Sequence, residues 1–475
     1  MAADKDKRAE LDCNGRLPMR YPRYSAPIVE PDMSATRQIA ERTASVRYED
    51  LPPDVIELAR QTLLDWIGVA LAGTREDLAR ILREEAAEQG GRPIATIVGA
   101  GARTGTQQAA LVNGATSHAL DYDDAHFLAT THCGVTTVPG MLALAEERGA
   151  SGRDFIAALA AGFEAIGAVA SYIGDKQYRL GFHSTGTIGS FGSAASCANL
   201  LKLDAGKTGT AFGIAAAQAA GIRSMFGTMC KPLHAGKAAQ NGVIAANLAA
   251  RGFTSNDAAL ETALGFGATH VPGFDPAHPI APPPKEWYLR YNIFKFHAAC
   301  FLTHAPIECA LDLRDRQGAA ADAAEKIVLH IQSDARDVCG IPDPRSGLEA
   351  KFSLRQCVAS VFAGLDTAAL ETFSDERAAD PRLAALRDRI VVDYTDKIPR
   401  GQAELEIMTK DARRLAAHFD SGTPVDDLAK QNARVRNKFR RLAEPILGGN
   451  RAAEIEATAM NIETLPSMRA LTALI

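Results

Sequence analysis

Small residues dominate the chain from residue 107 to residue 252, and they constrain the fold more than any other feature of the sequence. This stretch has helical periodicity, and alanine, glycine and serine recur so often that its helices must pack at short separations. Gly186, Gly189 and Gly192 place small residues on one helix face at three-residue steps, as close helix crossings require. The sequence therefore predicts a large, tightly packed helical unit.

A chain of 475 residues exceeds the size that one hydrophobic core normally supports, so we expect two domains. An irregular proline-rich segment runs from Pro272 to Pro284. Beyond it, residues 327–331 and 389–394 are strand-like, residues 403–407 look like a returning strand, and residues 426–468 return to helical period. The prediction is a mainly α fold, in which both chain ends form a large all-helical domain and a smaller α+β domain is inserted.

The predicted boundaries follow these changes of pattern. Residues 1–33 are polar and contain several prolines, which indicates an N-terminal tail. Residues 34–268 form the first part of the helical domain and residues 269–402 form the α+β domain. Residues 403–475 supply the return strand and the C-terminal helices that complete the helical domain. A cleft between two such units is a favoured ligand site.

Composition excludes several classes of function. The net charge is -5, and acids and bases are mixed along the chain, so no basic stripe is available for nucleic acid. No run reaches the roughly 18 uninterrupted apolar residues of a membrane-spanning helix, and the eight cysteines include no CxxC pair. We therefore expect a cytoplasmic protein with reduced thiols.

The glycines from Gly99 to Gly105 resemble a dinucleotide-binding motif, but the third glycine falls one place late. The segment therefore predicts a strand and a turn, and an NAD-dependent enzyme is a remote alternative.

The first cluster of chemically active residues begins at His118. On a helix, Asp121 and Asp124 share one face, with His118 one turn earlier. Carboxylates beside His132 would fix the tautomer of its imidazole and raise its basicity, which is how a general base is built. For Asp123 we favour a helix-capping or solvated position.

A metal site is the main alternative for the same cluster. His118, Asp121, His126 and His132 could supply ligands. Zinc sites normally show closely spaced, recurrent ligands such as HExxH, and this segment contains no such motif. We therefore predict no metal and no other cofactor.

The second cluster surrounds Lys231. Pro232 suits the first position of a helix, which would place Lys231 at the helix start and His234 in the first turn, beside exposed backbone N–H groups. Such an end attracts anions, and the lysine adds a full charge, so a substrate carboxylate is the expected ligand. Lys237 suits a solvated surface position equally well and is left out of the site. His183, a lone histidine before a glycine-rich helix, suits a core or a site position equally.

An ordered set of motifs resembles the MmgE/PrpD family. The motifs are Leu63–Gly68, Asn113–Asp124, Gly181–Gly186, Gly227–Gly242 and Glu349–Leu354. The likeness spans most of the chain, and the set is far more specific than any single motif. The family includes 2-methylcitrate dehydratase, cis-aconitate decarboxylase and iminodisuccinate epimerase.

The resemblance implies a fold, an assembly and a catalytic set. It implies that the inserted α+β domain is a lid on the helical domain, and that the protein is a cofactor-independent homodimer acting on a small di- or tricarboxylic acid. Matched motif by motif, it assigns catalytic roles to Asp121, His132, His183 and Lys231.

The resemblance also implies substrate-binding residues. His234 belongs to the motif of Lys231, and the segment that contains Cys300 and His304 resembles the part of the lid that lies over the site. Cys300 stands where the decarboxylase branch of the family has histidine. Gln356 stands where family members usually have a tyrosine, shortly after the motif Glu349–Leu354. These two differences weigh against a decarboxylase activity.

The chemistry of the two clusters suits the removal of a proton next to a carboxylate, and the resemblance implies that the reaction is the loss of water from a 2-methylcitrate-like acid. Lys231 would stabilise the enediolate-like anion that forms when a proton leaves the carbon next to a carboxylate. His132 or His183 would be the base, and the other imidazole, or Asp121 acting through one, would protonate the departing hydroxyl. Decarboxylation of the cis-aconitate type and epimerisation of the iminodisuccinate type need the same anion and stay open, as does a non-catalytic carboxylate-binding helical protein.

Overall fold

The computed structural model describes residues 34–319 and 324–475, so the predicted tail, residues 1–33, lies outside the described residues. The helices before residue 300 are α1 Ala35–Ser45, α2 Pro53–Gly73, α3 Asp77–Gln89, α4 Thr106–His118, α5 Gly134–Arg148, α6 Gly152–Ile173, α7 Lys176–Arg179, α8 Ser184–Leu200, α9 Ala205–Ala216, α10 Cys230–Ala250 and α11 Phe266–His270. The later helices are α12 His304–Asp315, α13 Ala335–Cys339, α14 Gly347–Ala350, α15 Leu354–Phe362, α16 Asp375–Ala378, α17 Pro381–Arg387, α18 Leu428–Leu447, α19 Gly449–Met460 and α20 Arg469–Thr472. The strands are β1 Ala95–Ile97, β2 Ala102–Thr104, β3 Ala125–His126, β4 Asn292–Ile293, β5 Ala324–Ile331, β6 Ile390–Tyr394, β7 Gln402–Thr409 and β8 Arg414–Asp420.

Glycines set the separation of the central helices α5, α6 and α8. A Cβ atom on Gly189 would lie 2.7 Å from Cγ2 of Thr136 in α5, and one on Gly192 would lie 2.4 Å from Cγ1 of Ile166 in α6. Distances this short leave no room for a side chain in a close-packed interior. The predicted glycine face of α8 is therefore confirmed as a packing surface.

Helix α6 lies inside this core. By length and composition, Gly152–Ile173 could cross a membrane, but 94% of its most apolar window is buried inside the protein. A helix that is apolar all round and covered by protein is typical of the core of a large domain. The burial of α6 therefore has a packing explanation.

Helices α4 and α10 make one of the closest crossings in the domain. A Cβ on Gly236 would lie 2.3 Å from the carbonyl oxygen of Leu111, and one on Gly114 would lie 2.8 Å from the Cα of Gly236. This contact fixes the start of α10, which carries Lys231, relative to the end of α4, which carries His118. The small residues thus position both clusters found in the sequence.

Gly236→Ala should destabilise the protein by about 1–3 kcal/mol, because the added methyl group must push α4 away from α10. Gly209→Ala is the matched control, since its Cβ would meet only the Cβ of Ala40, at 3.9 Å. That control should leave stability unchanged or raise it by about 0.5–1 kcal/mol, as expected for alanine in a helix. Chemical denaturation measures both effects, and equal effects would contradict the close crossing.

The two ends of the chain meet in the helical domain. Val435 and Phe439 of α18 are fully buried in the same apolar cluster as Leu63 and Leu64 of α2. A Cβ on Gly68 would lie 3.4 Å from the Cα of Phe439, so α18 packs directly on α2. The fold is mainly α, with a helical domain built from both ends of the chain, as the sequence predicts.

The predicted glycine turn is also present. Gly99 and Gly101 have φ angles of 68° and 61° and connect β1 to β2, which pair antiparallel. Glycine adopts this left-handed backbone without the steric cost that other residues bear. The predicted strand and turn are present, and a second strand, β2, which the sequence did not indicate, completes a tight hairpin.

The α+β part is built on a four-stranded sheet in the order β6-β5-β7-β8. Strand β5 is parallel to β6 and antiparallel to β7, which in turn pairs antiparallel with β8. Ile327 and Leu329 of β5 and Leu405 and Ile407 of β7 are buried on one face, where they join the same apolar cluster as residues of α12 and α15. The predicted strands at 327–331 and 389–394 are confirmed.

The sheet extends further along the chain than the predicted boundary. Strand β7 begins at Gln402 and pairs with β5 over Ile331↔Ala403 to Ala324↔Thr409, and β8 continues the sheet to Asp420. The boundary drawn at residue 402 therefore cuts through the sheet. The periodicity of residues 403–407 shows a strand, but it does not show which strand is its partner.

The chain after α4 lies between the two cores. Leu120 and Tyr122 are buried in the apolar cluster of the α+β part, together with Val69 of α2. A short antiparallel pair, Ala125↔Ile293 and His126↔Asn292, ties this segment to the crossing that leads into the α+β part. The first chemical cluster therefore lies where the two parts of the fold meet.

Candidate active site

Asp121 lies in a tight turn rather than on a helix. Helix α4 ends at His118, and Asp121 has a φ angle of 52°, in the left-handed region. Its backbone N–H donates to the carbonyl of His118 at 3.1 Å, which closes the turn. The predicted helical face that joins Asp121 and Asp124 is therefore wrong, because left-handed backbone at Asp121 ends the helix.

Two lysines converge on Asp121. The Nζ atoms of Lys231 and Lys295 lie 2.8 Å and 3.0 Å from its Oδ1. Burial by itself would raise the pKa of this carboxyl group, but the two ammonium groups outweigh burial and hold its pKa well below the usual range. Asp121 is therefore an ionised carboxylate that carries one negative charge against two positive charges.

His132 is held in one tautomer. Its Nδ1 lies 2.7 Å from the carbonyl oxygen of Asp124, and because a carbonyl only accepts, Nδ1 carries the proton. The Nε2 atom then has a free lone pair, and it lies 3.9 Å from Oδ1 of Asp121. Fixing the proton on the far nitrogen is how a protein prepares an imidazole to act as a base.

Asp123 lies beside the two imidazoles of the site, where the sequence did not place it. It is fully buried rather than solvated, and its Oδ1 accepts a hydrogen bond from Nδ1 of His118 at 2.9 Å. Its Oδ2 lies 2.9 Å from Nδ1 of His132. The His132 N–H points toward the carbonyl of Asp124, so the second contact is mainly electrostatic. Burial raises the pKa of Asp123, but His118 and His132 outweigh it and lower the pKa well below its usual range.

Asp124 anchors the start of α5. Both of its carboxylate oxygens accept from the backbone N–H of Gly134, at 2.9 Å and 3.2 Å. Burial and the nearby carboxylates of Asp123 and Asp65 raise the pKa of Asp124 to about 7. Asp124 thus fixes the segment that carries His132 and is a structural acid.

His183 and His234 form a pair of imidazoles. Their Nδ1 atoms lie 3.0 Å apart, so one ring donates and the other accepts. Burial, with Lys231 as the next cause, lowers the pKa of both rings, that of His183 well below its usual range. Both rings are therefore neutral at pH 7, and His234 lies behind His183.

A cavity of about 100 Å³ joins these groups. Its described lining includes all four residues that the motifs assign to catalysis, and Lys295 and Cys300 as well. The four residues so assigned are Asp121, His132, His183 and Lys231. Aromatic rings and one further cation also line it, among them Tyr178, Phe226, Phe301, Phe352 and Arg400. An apolar cavity with a few convergent polar groups is typical of a small-molecule site.

Three buried lysines hold the turn from Leu120 to Tyr122. Each donates to one of three successive backbone carbonyls, and each comes from a different part of the chain. The pairs are Lys351 to Leu120 at 3.2 Å, Lys295 to Asp121 at 2.6 Å, and Lys438 to Tyr122 at 2.6 Å. We call these three residues the lysine clamp. It ties the position of Asp121 to the α+β part and to α18.

Two sequence profiles match the chain. The profile of the MmgE/PrpD N-terminal domain matches residues 37–279, and that of the MmgE/PrpD C-terminal domain matches residues 297–464. The chain belongs to the MmgE/PrpD family. The resemblance seen in the motifs is thereby confirmed over nearly the whole length of the chain.

Curated relatives of this MmgE/PrpD protein are similar over almost their full length. Cis-aconitate decarboxylase of Aspergillus terreus (strain NIH 2624 / FGSC A1156) is 25% identical over 473 residues, which cover 93% of this chain and 95% of the relative. Cis-aconitate decarboxylase of Homo sapiens is 26% identical over 465 residues, which cover 93% of this chain and 94% of the relative. That of Mus musculus is 27% identical over 463 residues and 93% of both chains. These comparisons support a lyase of the family.

Not all of the predicted substrate-binding residues of this MmgE/PrpD protein line the cavity. Cys300 lines the cavity, whereas His234 and His304 are not among the described residues that line it. His304 stacks on Phe301 with ring centroids 5.6 Å apart. Gln356 also lies elsewhere, where its Oε1 accepts from Arg387 at 2.5 Å. Position in a motif did not show which of these side chains reach the cavity.

Lys295 and Arg400 are cavity residues that sequence analysis missed. Lys295 stands in an irregular segment after β4, and Arg400 stands in the loop before β7. Nη1 of Arg400 donates to Oγ1 of Thr130 at 3.1 Å, which holds the guanidinium over the loop of the first cluster. Only the fold brings these two cations to the cavity, so no local pattern could have indicated them.

The metal alternative concerns four residues of the same site. Ligand atoms of His118, Asp121, Asp123 and His132 lie within 4.8 Å of one another. His126 lines the cavity but does not belong to this group, and its Nε2 contacts the carbonyl of Tyr288 at 2.9 Å. Two lysines already neutralise the carboxylate of Asp121, which disfavours a divalent cation beside it. The absence of a metal stays a prediction.

The free energy of unfolding should fall as the pH is lowered from about 6.5 to about 4. Burial lowers the pKa of His118 and His126 from 6.5 to about 4, so the unfolded chain takes up protons in this window while the folded protein does not. His183 and His304 act in the same direction. Asp124 partly offsets them, because its raised pKa makes the folded protein bind a proton there. Denaturation at a series of pH values checks this, and stability that rises toward pH 4 would contradict it.

Proposed function

We propose that this protein is a cofactor-independent lyase that removes a proton from the carbon next to a carboxylate of a small di- or tricarboxylic acid. The observation that carries the proposal is the fixed tautomer of His132. In the neutral ring this tautomer leaves Nε2 without a proton, and His132 lines a cavity whose wall also contains Lys231 and Lys295. Abstraction of a proton from carbon needs a base to accept the proton and cations to stabilise the anion that remains, and one cavity holds both.

The charge of the cavity suits a substrate with more than one carboxylate. Lys231, Lys295 and Arg400 contribute three positive charges to the lining, and Asp121 contributes one negative charge. When a proton leaves the α-carbon, negative charge moves onto the oxygens of the neighbouring carboxylate. Ammonium groups already in place stabilise that enediolate-like anion without having to reorganise.

Two imidazoles on one cavity suit the loss of water. His132 accepts the proton from the α-carbon at Nε2. If His234 donates to His183, the proton of His183 resides on its other nitrogen, Nε2, and can pass to the departing hydroxyl. The carbon–oxygen bond then breaks, water leaves and an alkene remains. His132 now carries one extra proton and His183 has one fewer, and return of a proton from His132 to His183 restores both neutral rings.

Decarboxylation is the second candidate, and the relatives favour it, since those reported above are cis-aconitate decarboxylases. In that reaction a carbon–carbon bond breaks, carbon dioxide leaves and a protonated imidazole donates a proton to the resulting carbanion. The same lysines would stabilise the anion. Cys300 lines the cavity, and the family resemblance implies that it stands where the decarboxylase branch has histidine, which favours dehydration instead.

NMR in deuterated water distinguishes these outcomes. The enzyme is incubated with citrate-like, aconitate-like and aminodicarboxylate compounds, and we expect an alkene product together with deuterium exchange at the α-carbon. Lys231→Met should abolish both, because the cavity loses a charge that stabilises the anion. Release of carbon dioxide without loss of water would favour the second candidate. Compounds that raise the melting temperature and never react would contradict an enzyme and support a carboxylate-binding protein.

A further inference from the structure

A second cavity, of about 420 Å³, lies behind the turn that carries Asp121. Its described walls come from α12, from the loop of residues 364–368, from α18 and from the segment Phe296–His297. Among the described residues, it shares no lining residue with the first cavity. We call it the rear cavity.

Positive charge dominates the lining of the rear cavity. Four cationic side chains line it, and Asp366 is the only carboxylate among the described lining residues. The cations are Arg314, Arg434, Lys438 and Arg441. Each of these cations also contacts a carboxylate, namely Asp315, Glu308, Asp65 and Asp366 in the same order. An anionic ligand would therefore bind through the N–H donors that these pairs leave free.

Two of the arginines keep spare donors for such a ligand. Arg434 uses Nη2 to bind Glu308 at 2.9 Å, and Arg441 uses Nη1 to bind Asp366. Each guanidinium has five N–H donors in a planar fork, so most of them are free of these two acids. Arg434 also stacks on the ring of Phe296, with its Cζ 3.9 Å from the ring centroid, which fixes the plane of the fork.

The rear cavity touches the active-site turn from the opposite side. Asp121 and Lys295 line the first cavity, while their chain neighbours Tyr122 and Phe296 line the rear cavity. Lys438 lines the rear cavity and donates to the carbonyl of Tyr122 at 2.6 Å. A ligand held there would contact the same two segments that position the catalytic carboxylate.

We propose that the rear cavity binds a small dianion, either a dicarboxylate or a phosphate, at a site separate from the active site. Arg434 and Arg441 are its main ligands, because a guanidinium fork matches the paired oxygens of both groups. Tyr122 and Phe296 supply the apolar side of the site. The proposal does not rest on the reaction catalysed in the first cavity.

Calorimetric titration of the full-length protein with inorganic phosphate, and separately with succinate, tests this site. At least one of the two anions should bind saturably, and the tighter one identifies the ligand class. The double variant Arg434→Gln/Arg441→Gln should weaken binding by about tenfold or more, since it removes two charge-assisted contacts. Lys231→Met should bind the same anion as the wild type does, because Lys231 is not among the described residues of the rear cavity.

The double variant should fold, because its arginine side chains are 39% and 46% exposed and Glu308, the less exposed of their two partners, keeps its contact with His297 at 3.3 Å. Hydrogen–deuterium exchange of the wild type gives an independent readout, in which the bound anion should slow exchange in residues 434–441. No saturable binding of either anion would overturn the proposal. The proposal would also be overturned if Lys231→Met weakened binding of the anion and the double variant did not, because the anion would then lie in the active site. Neither measurement depends on turnover. The result therefore tests only the rear cavity, and the NMR experiment tests the proposed reaction separately.

Discussion

Replacing His132 by alanine should lower turnover by about 100- to 10,000-fold, because the base that accepts the α-proton is lost. Folding should be preserved. The side chain is 17% exposed at the cavity and makes one hydrogen bond, to the carbonyl of Asp124. Steady-state kinetics measures the first effect, and the melting temperature measures the second.

His330→Ala is the matched control for this variant. His330 lies on β5, and its Nδ1 contacts Asp393 at 2.8 Å on a part of the sheet that is not among the described walls of either cavity. This variant should turn over substrate at the wild-type rate. An active His132→Ala enzyme with normal melting would show that another group is the base.

Lys438→Met should cost about 3–5 kcal/mol of stability, which is typical when one partner of a buried ion pair is removed. Its Nζ lies 2.6 Å from Oδ1 of Asp65 and 2.6 Å from the carbonyl of Tyr122, and both side chains of the ion pair are buried. Burial raises the pKa of Asp65, and Lys438 opposes that rise, so without the lysine an uncompensated carboxyl group stays in the core. Turnover should fall as well, because the turn of Asp121 loses one member of the lysine clamp.

Two further variants separate charge from packing in the clamp. Lys285→Met removes an exposed pair with Asp426 and should change stability by less than about 1 kcal/mol. Adding Asp65→Asn to Lys438→Met should recover part of the lost stability, because it removes the unpaired acid. Chemical denaturation measures all three variants. A Lys438→Met protein as stable as the wild type would show that the buried pair does not hold the turn.

The helical core was predictable because its physical cause is local. Spacing of small residues along one helix decides how near another helix can come, and Gly189 and Gly192 show this directly. Partners of strands depend on contacts between distant segments. The periodicity at residues 403–407 therefore predicted a strand but misplaced the end of the sheet.

The candidate site was predictable in its residue types and not in its geometry. Asp121 and His132 stood out as polar groups in apolar sequence, and the cavity brings them together. Nothing in the local sequence indicates that Asp123 is buried, because neighbouring carboxylates are usually solvated. Lys295 could not be found either, since it reaches Asp121 only through the folded chain, 174 residues away.

Deuterium uptake at the α-carbon of an acid that the enzyme accepts is the most direct measurement of the central claim. It is followed by NMR in deuterated water, with the wild type and His132→Ala, each with and without EDTA. We expect uptake by the wild type that EDTA leaves unchanged, and uptake by His132→Ala that is slower by about 100-fold or more. Uptake that EDTA stops, or uptake by His132→Ala at the wild-type rate, would contradict proton abstraction by this imidazole.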